Sequence, residues 1–196
     1  MARYPVRRVG EWISELESRI SHLDQRRYSV TKMESVSNGS GRAPRFLCDA
    51  MLGSLARWLR FFGFDSGFLE PGPEDRVLAE LARAEGRWLL TRDRELASAG
   101  PKTMLVRADD LEDQLVEVFE RLDLRPDATL ENARCSECNG ELVDVAREDV
   151  AEVAPPHVLA TAPRFRRCTG CRRVYWPGSH GDRILERMTA IIARLD

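Results

Sequence analysis

Two Cys-x-x-Cys knuckles, Cys135/Cys138 and Cys168/Cys171, are the residues whose type and spacing most directly imply chemistry. Each knuckle puts two thiolates on one tight turn, and together they offer the four soft ligands of a tetrahedral zinc site. The 29 residues between them hold two strand-like runs, as a small ribbon requires. A pair of disulfides is the competing reading, but nothing in the chain suggests an oxidising compartment. Four sulfurs would close the coordination sphere, so this zinc would serve folding, on the order of 10 kcal/mol. The fifth cysteine, Cys48, stands apart in an apolar run. Catalysis must therefore be sought elsewhere.

Carboxylates at strand ends are the second constellation. Asp49 follows the run Phe46-Leu47-Cys48, and Asp93 follows Trp88-Leu89-Leu90-Thr91 by one residue. Asp75 falls in the first turn of a helix, and Asp109 and Asp110 follow a fourth apolar run. Asp49, Asp75 and Asp93 can converge on one rim if their strands are parallel neighbours. Carboxylates so crowded repel unless a divalent cation lies between them. Oxygen ligands without histidine or thiol favour Mg²⁺ or Mn²⁺. Such an ion can activate water and steady the leaving oxygen of a phosphodiester. Helix capping is the alternative reading for Asp75, Asp93 and Asp109 or Asp110. A phospho-accepting receiver is disfavoured: Asp49 has no acidic neighbour, and Lys102 precedes a strand instead of following one.

The elements that must carry these residues can be read from apolar periodicity. Strands are expected at 46–48, 64–69, 88–91 and 103–106. Helices are expected at about 51–62, from about 74 to 85, briefly at 95–98, and at about 110–122. Strands alternating with helices give an α/β fold with a parallel sheet covered on both faces, its working site beyond the carboxyl ends of the strands. Residues 1–43 read as an extension. Trp12, Ile13, Leu16, Ile20 and Leu23 share a helical stripe there, and Ser35 to Gly41 has linker chemistry. A ribbon is expected over 133–180, followed by a helix at 181–196 that packs back on one of the domains.

The run from Phe46 to Arg60, with Gly86 to Arg94 and the knuckle sequences Arg134 to Gly140 and Cys168 to His180, resembles the Mut-seven C-terminal RNase domain family. The resemblance covers about 44–190. It implies a PIN-like three-layer nuclease domain at 44–125 with a C-terminal zinc ribbon, and a metal-dependent ribonuclease activity. By motif, Asp49 matches the aspartate after the first strand, Asp93 the one in the Thr-Arg-Asp turn, and Asp75 the acidic position opening the second helix. A fourth acidic position has no clear equivalent; Asp109 is the nearest.

Composition bounds the partners. A formal charge of −2 excludes binding of nucleic acid by bulk charge, and Lys32 and Lys102 are the only lysines. With 43% apolar residues and no long apolar run, a cytoplasmic protein is expected. Arg57 and Arg92 lie near the carboxylates and could grip RNA phosphates, whereas Arg60 reads as compensating a solvated face. Arg164, Arg166, Arg167, Arg172 and Arg173, followed by Tyr175 and Trp176, suit single-stranded RNA. The two rings could equally form the ribbon's core, and His180 reads as a structural hydrogen-bonding residue. The expected function is RNA hydrolysis. The alternative is a non-catalytic RNA-binding or adaptor protein in which the incomplete acidic cluster has lost turnover. A third reading has the ribbon dock a protein partner, such as a ribosomal or RNA-decay component.

Overall fold

The computed structural model describes residues 43–69 and 74–195, so the helical stripe expected at 12–23 lies outside the described residues. In chain order come β1 (Phe46–Cys48), α1 (Gly53–Phe61), β2 (Ser66–Phe68), α2 (Asp75–Glu85), β3 (Trp88–Thr91), β4 (Thr103–Leu105) and α3 (Leu111–Arg121). The four strands pair in parallel in the order β2-β1-β3-β4. The expected α/β fold is therefore what forms. β2 is shorter than expected because the Phe64 N–H turns back to donate to Leu59 O, closing α1 instead of joining the sheet.

Alternation along the strands explains why both faces are covered. Phe46 and Cys48 point to one side, where Leu55 and Leu59 of α1 and Leu115, Val118 and Phe119 of α3 bury them. Leu47 and Leu89 point to the other, against Leu78 and Ala82 of α2. Right-handed crossovers require this division: the chain leaves β1 in one direction to reach β2, then returns over β1 to reach β3.

The second sheet holds β5 (Leu142–Val145), β6 (Phe165–Cys168) and β7 (Val174–Tyr175), antiparallel in the order β5-β6-β7. Between β5 and β6 runs a short helix, α4 (Pro156–Thr161), which the sequence pattern did not announce. Six residues are too few to display a period, although Pro156 sits at a first-turn position that proline favours. Val150, Ala154, Val158, Ala162 and Phe165 give this part a small apolar core of its own. The terminal helix, α5 (Ser179–Ile192), packs Ile184, Met188 and Ile191 into the main core. Its Arg187 lies over the Trp58 ring at 4.7 Å and pairs with Glu112.

Arg60 corrects the sequence reading. It is 5% exposed and is not part of a solvated face. Its Nε donates to Ser66 O at 2.8 Å and its Nη1 to Ser136 O at 2.8 Å, so one guanidinium joins β2 to the first knuckle. Asn139, held at φ 66, completes the joint: its Oδ1 accepts from the Ser66 N–H at 3.0 Å and its Nδ2 donates to Asp65 at 2.6 Å. The knuckle thereby satisfies backbone groups of an edge strand that would otherwise be exposed. Burial alone would raise the Asp65 carboxyl, but hydrogen bonds from Arg87 and Asn139 hold it below the usual carboxylate range.

Two outcomes follow. Replacing Arg60 with Met strands carbonyls at Ser66 and Ser136 and should cost about 3 kcal/mol in chemical denaturation, with Lys failing to rescue because one ammonium cannot span both. A loss below roughly 0.5 kcal/mol would remove this joint from the account. A lowered folded pKa means that Asp65 adds stability above about pH 4, and this is lost as pH falls through its folded value. Asp65→Asn should flatten that acid limb; an unchanged pH profile would contradict the assignment.

Candidate active site and metal centre

At the carboxyl edge of the sheet, Asp49 directly follows β1 and Asp93 lies two residues beyond β3's last strand residue, Thr91. The Asp49 N–H donates to Leu90 O at 3.0 Å, which extends the ladder by one residue and fixes the backbone there. Thr91, fully buried, ties the two aspartates together. Its hydroxyl donates to Asp49 Oδ2 at 2.8 Å and accepts from the Asp93 N–H at 3.0 Å. The sequence reading passed over Thr91; its place in the Thr-Arg-Asp turn was the available signal. Strands β1 and β3 are neighbours whose crossovers diverge, so this edge is the topological switch point of the sheet.

Both aspartates also serve the backbone. Asp49 Oδ1 accepts from the Ala50 N–H at 2.6 Å, and Asp93 Oδ1 accepts from the N–H groups of Glu95 and Leu96 at 2.7 and 2.8 Å. Asp93 is therefore a cap as well as a candidate ligand, with its second oxygen left over. Asp75 opens α2 beyond the end of β2 and is exposed, without a side-chain hydrogen bond among the described residues. Asp109 is drawn to Arg92 at 2.5 Å, while Asp110 caps α3. Arg57 is over half exposed and only loosely paired with Glu137, at 3.9 Å.

The four cysteines form the second site. Their sulfurs all lie within 4.8 Å of one another, and among the described residues they are the group of potential ligands gathered this closely. Sγ separations of 3.5 Å for Cys135–Cys171 and 3.3 Å for Cys138–Cys168 suit one ion reached by four bonds of about 2.3 Å. A Cβ on Gly140 would stand 2.7 Å from the Cys168 sulfur, so only glycine lets the chain pass. The four residues can hold a metal ion, and their softness fits zinc.

Hydrogen bonding is graded around the sulfurs. Burial would raise the Cys135 thiol, yet the Tyr175 hydroxyl at 3.0 Å and backbone groups of Cys138 and Glu137 bring it down to about 7. Burial and the neighbouring sulfurs push Cys171 up to about 12. Thiolates so close repel one another, and a cation between them relieves it. Tyr175 is thus committed to the ribbon. Cys48, pushed up to about 12 by burial, is inert packing.

The arginines divide. Arg166 donates to the carbonyls of Leu130 and Leu142 at 3.0 and 2.8 Å, and Arg167 to that of Asp149. Trp176, by contrast, keeps 38% of its surface exposed beside Phe165. His180 is exposed and makes no side-chain hydrogen bond among the described residues, so the structural bond expected of it is absent. Gly140→Ala should weaken metal retention about tenfold, as read by chelator competition on the purified chain. Retention equal to that of the unaltered chain would mean the sulfurs do not close on an ion there.

Comparison with known proteins identifies the family of the chain. The family model described as the Mut7-C RNAse domain matches residues 44–188. Over 50 residues the chain is 52% identical to a human protein, "Exonuclease mut-7 homolog"; the stretch takes in 26% of this chain and 6% of that one. The chain thus spans a small fraction of that relative's length. No solved structure matches. The family match over most of the chain leads to one conclusion: this chain belongs to the Mut7-C RNase domain family.

Proposed function

We propose that this chain is a Mg²⁺- or Mn²⁺-dependent ribonuclease that hydrolyses RNA phosphodiester bonds at its carboxyl sheet edge. The observation that carries the reading is the linkage of Asp49 and Asp93 through the buried Thr91 hydroxyl, in a chain of an RNase family. Asp49 and Asp93 would hold the cation, joined by Asp75 from the start of α2. Such an ion lowers the pKa of water and offsets charge on the leaving oxygen. Thr91 aims Asp49, and the cap at Glu95 and Leu96 keeps Asp93 in place. Arg57, weakly paired, and Arg92, beside Asp93, would bind phosphates flanking the scissile bond.

The cysteine cluster would carry structural zinc, and a reducing cytoplasm suits thiols kept free for it. Within the ribbon, Arg166 and Arg167 would meet RNA, each held in place by the carbonyls to which it donates. The relative's name, exonuclease, is a reason to examine trimming from a chain end as well as internal cutting.

One observation favours a second reading. Asp109 is occupied by Arg92 and one Asp93 oxygen by a cap, so the acidic set is smaller than two ions would need. In that case the chain would bind RNA without cutting it, and its ribbon would dock a ribosomal or RNA-decay component.

Asp93→Asn separates the roles, because the amide oxygen can still cap while the charge is gone. Cleavage of single-stranded RNA in Mn²⁺ or Mg²⁺ should fall about 100-fold with the melting temperature little changed, and Thr91→Val should lower it about tenfold. Undiminished cutting by Asp93→Asn rejects the assigned site, whereas intact RNA with the wild type at every divalent concentration favours the second reading.

A further inference from the structure

A groove of about 920 Å³ opens between the ribbon, the segment that leads into it and the first turn of α5. That volume is in the range of sites for nucleotide-sized ligands. It lies away from the acidic edge. Phe61, which lines it, is the last residue of α1, and α1 runs back from the carboxyl edge of the sheet to the amino edge. The separation is therefore on the order of α1's own length, about 13 Å.

The lining has a particular chemistry. Its floor is apolar, from Phe61, Leu130, Val158, Ile184 and Leu185, and the Trp176 ring stands part-exposed in its wall. Arg134, Arg164 and Arg166 line it together with Glu131 and Asp182, so the arginines are in excess. Arg164 is neutralised by Glu131 at 2.6 Å and Arg134 lies 4.0 Å from Glu141. Arg166 makes no ion pair within 4.0 Å among the described residues; it donates to two carbonyls, and its charge also acts on Glu131 at longer range. His157 and His180 add two imidazoles with no side-chain hydrogen bonds among the described residues.

An apolar slot with an exposed indole, hydrogen-bonding groups without partners and one cation outside any close ion pair suits a planar base joined to a phosphate. A peptide would use the apolar floor but has no chain-wide negative charge to answer Arg166. We propose that this groove binds an unpaired nucleotide of single-stranded RNA, its base stacked on Trp176 and its phosphate toward Arg166 and the two histidines. The inference rests on RNA being the substrate, and it adds a holding site remote from the acidic edge. RNA anchored in the groove would extend along the protein before reaching Asp49 and Asp93. Short fragments would lose the anchor, so affinity would rise with length.

The test is fluorescence anisotropy of a 5′-labelled 12-nucleotide oligouridylate with the full chain, without added Mg²⁺ or Mn²⁺, so that binding is read apart from cutting. Trp176→Ala should raise Kd about tenfold, and Trp176→Phe, which keeps a stacking face, should recover most of the loss, with metal content at the cysteines unchanged. Equal affinity in Trp176→Ala overturns the proposal, as does equal loss in both variants, which would mark a packing role. An oligouridylate that fails to bind the unaltered chain also overturns it. The two readings fail separately. RNA that binds with this Trp176 dependence but is never cut removes the hydrolase and keeps the groove. RNA cut normally without that dependence removes the groove alone.

Discussion

The parallel pairing of β1 with β3 is the constraint on which the rest of the site depends. Cys48 opposes Leu90, and the Asp49 N–H adds one more rung on Leu90 O, so Asp49 leaves the sheet where β3 is about to end. Two strands later in the chain but adjacent in space, Thr91 is buried at the same level and reaches sideways to Asp49. A one-residue slip would send Phe46 and Cys48 to the wrong face and bury Leu47 against the wrong helix. The hydrophobic pattern that fills both faces is thus also what brings Asp49 and the Asp93 backbone to the same Thr91 hydroxyl. Packing energy fixes the chemistry's geometry, and the polar residues need only a short bridging hydroxyl.

The ribbon is held on the same frame by polar contacts of high directional demand. Arg60 reaches from α1 to carbonyls on β2 and the first knuckle, and burial lowers its pKa while leaving it a cation. Asn139 and Asp65 add neutral and charged hydrogen bonds at the β2 edge, and Arg87 grips Asp65 with both terminal nitrogens, at 2.6 and 3.2 Å. A guanidinium so satisfied tolerates little displacement, since any shift breaks bonds at two elements together. The cysteine cluster is consequently tied to the sheet through the residues adjoining Cys135 and Cys138. A metal ion held there would order the knuckle that α1 and β2 contact.

Much of this was legible in the chain, for physical reasons that differ by residue. Fully buried parallel strands appear as short apolar runs, and β1 and β3 lie where those runs predict. Asp49 and Asp93 stand at the rim because a polar residue just after such a run leaves the sheet there. The cysteine knuckles were found because their spacing is local. Arg60 was misread because helical position alone puts it off the apolar face; its burial depends on a carbonyl 76 residues away. Tyr175 left two readings open, and only the approach of Cys135 from 40 residues away assigns its hydroxyl to the metal centre. The short α4 was invisible to periodicity. What the sequence could not carry were contacts between distant residues that neither pattern nor spacing encodes.

The central claim is that the β1–β3 switch point is built to accept a divalent cation. Crystals of the full chain soaked in Mn²⁺ and measured near the manganese absorption edge test it directly. The account predicts an anomalous peak in ligand contact with the Asp49 and Asp93 carboxylates, distinct from any density among the four sulfurs. An edge left empty at millimolar Mn²⁺, with the two carboxylates turned away from each other, would contradict it.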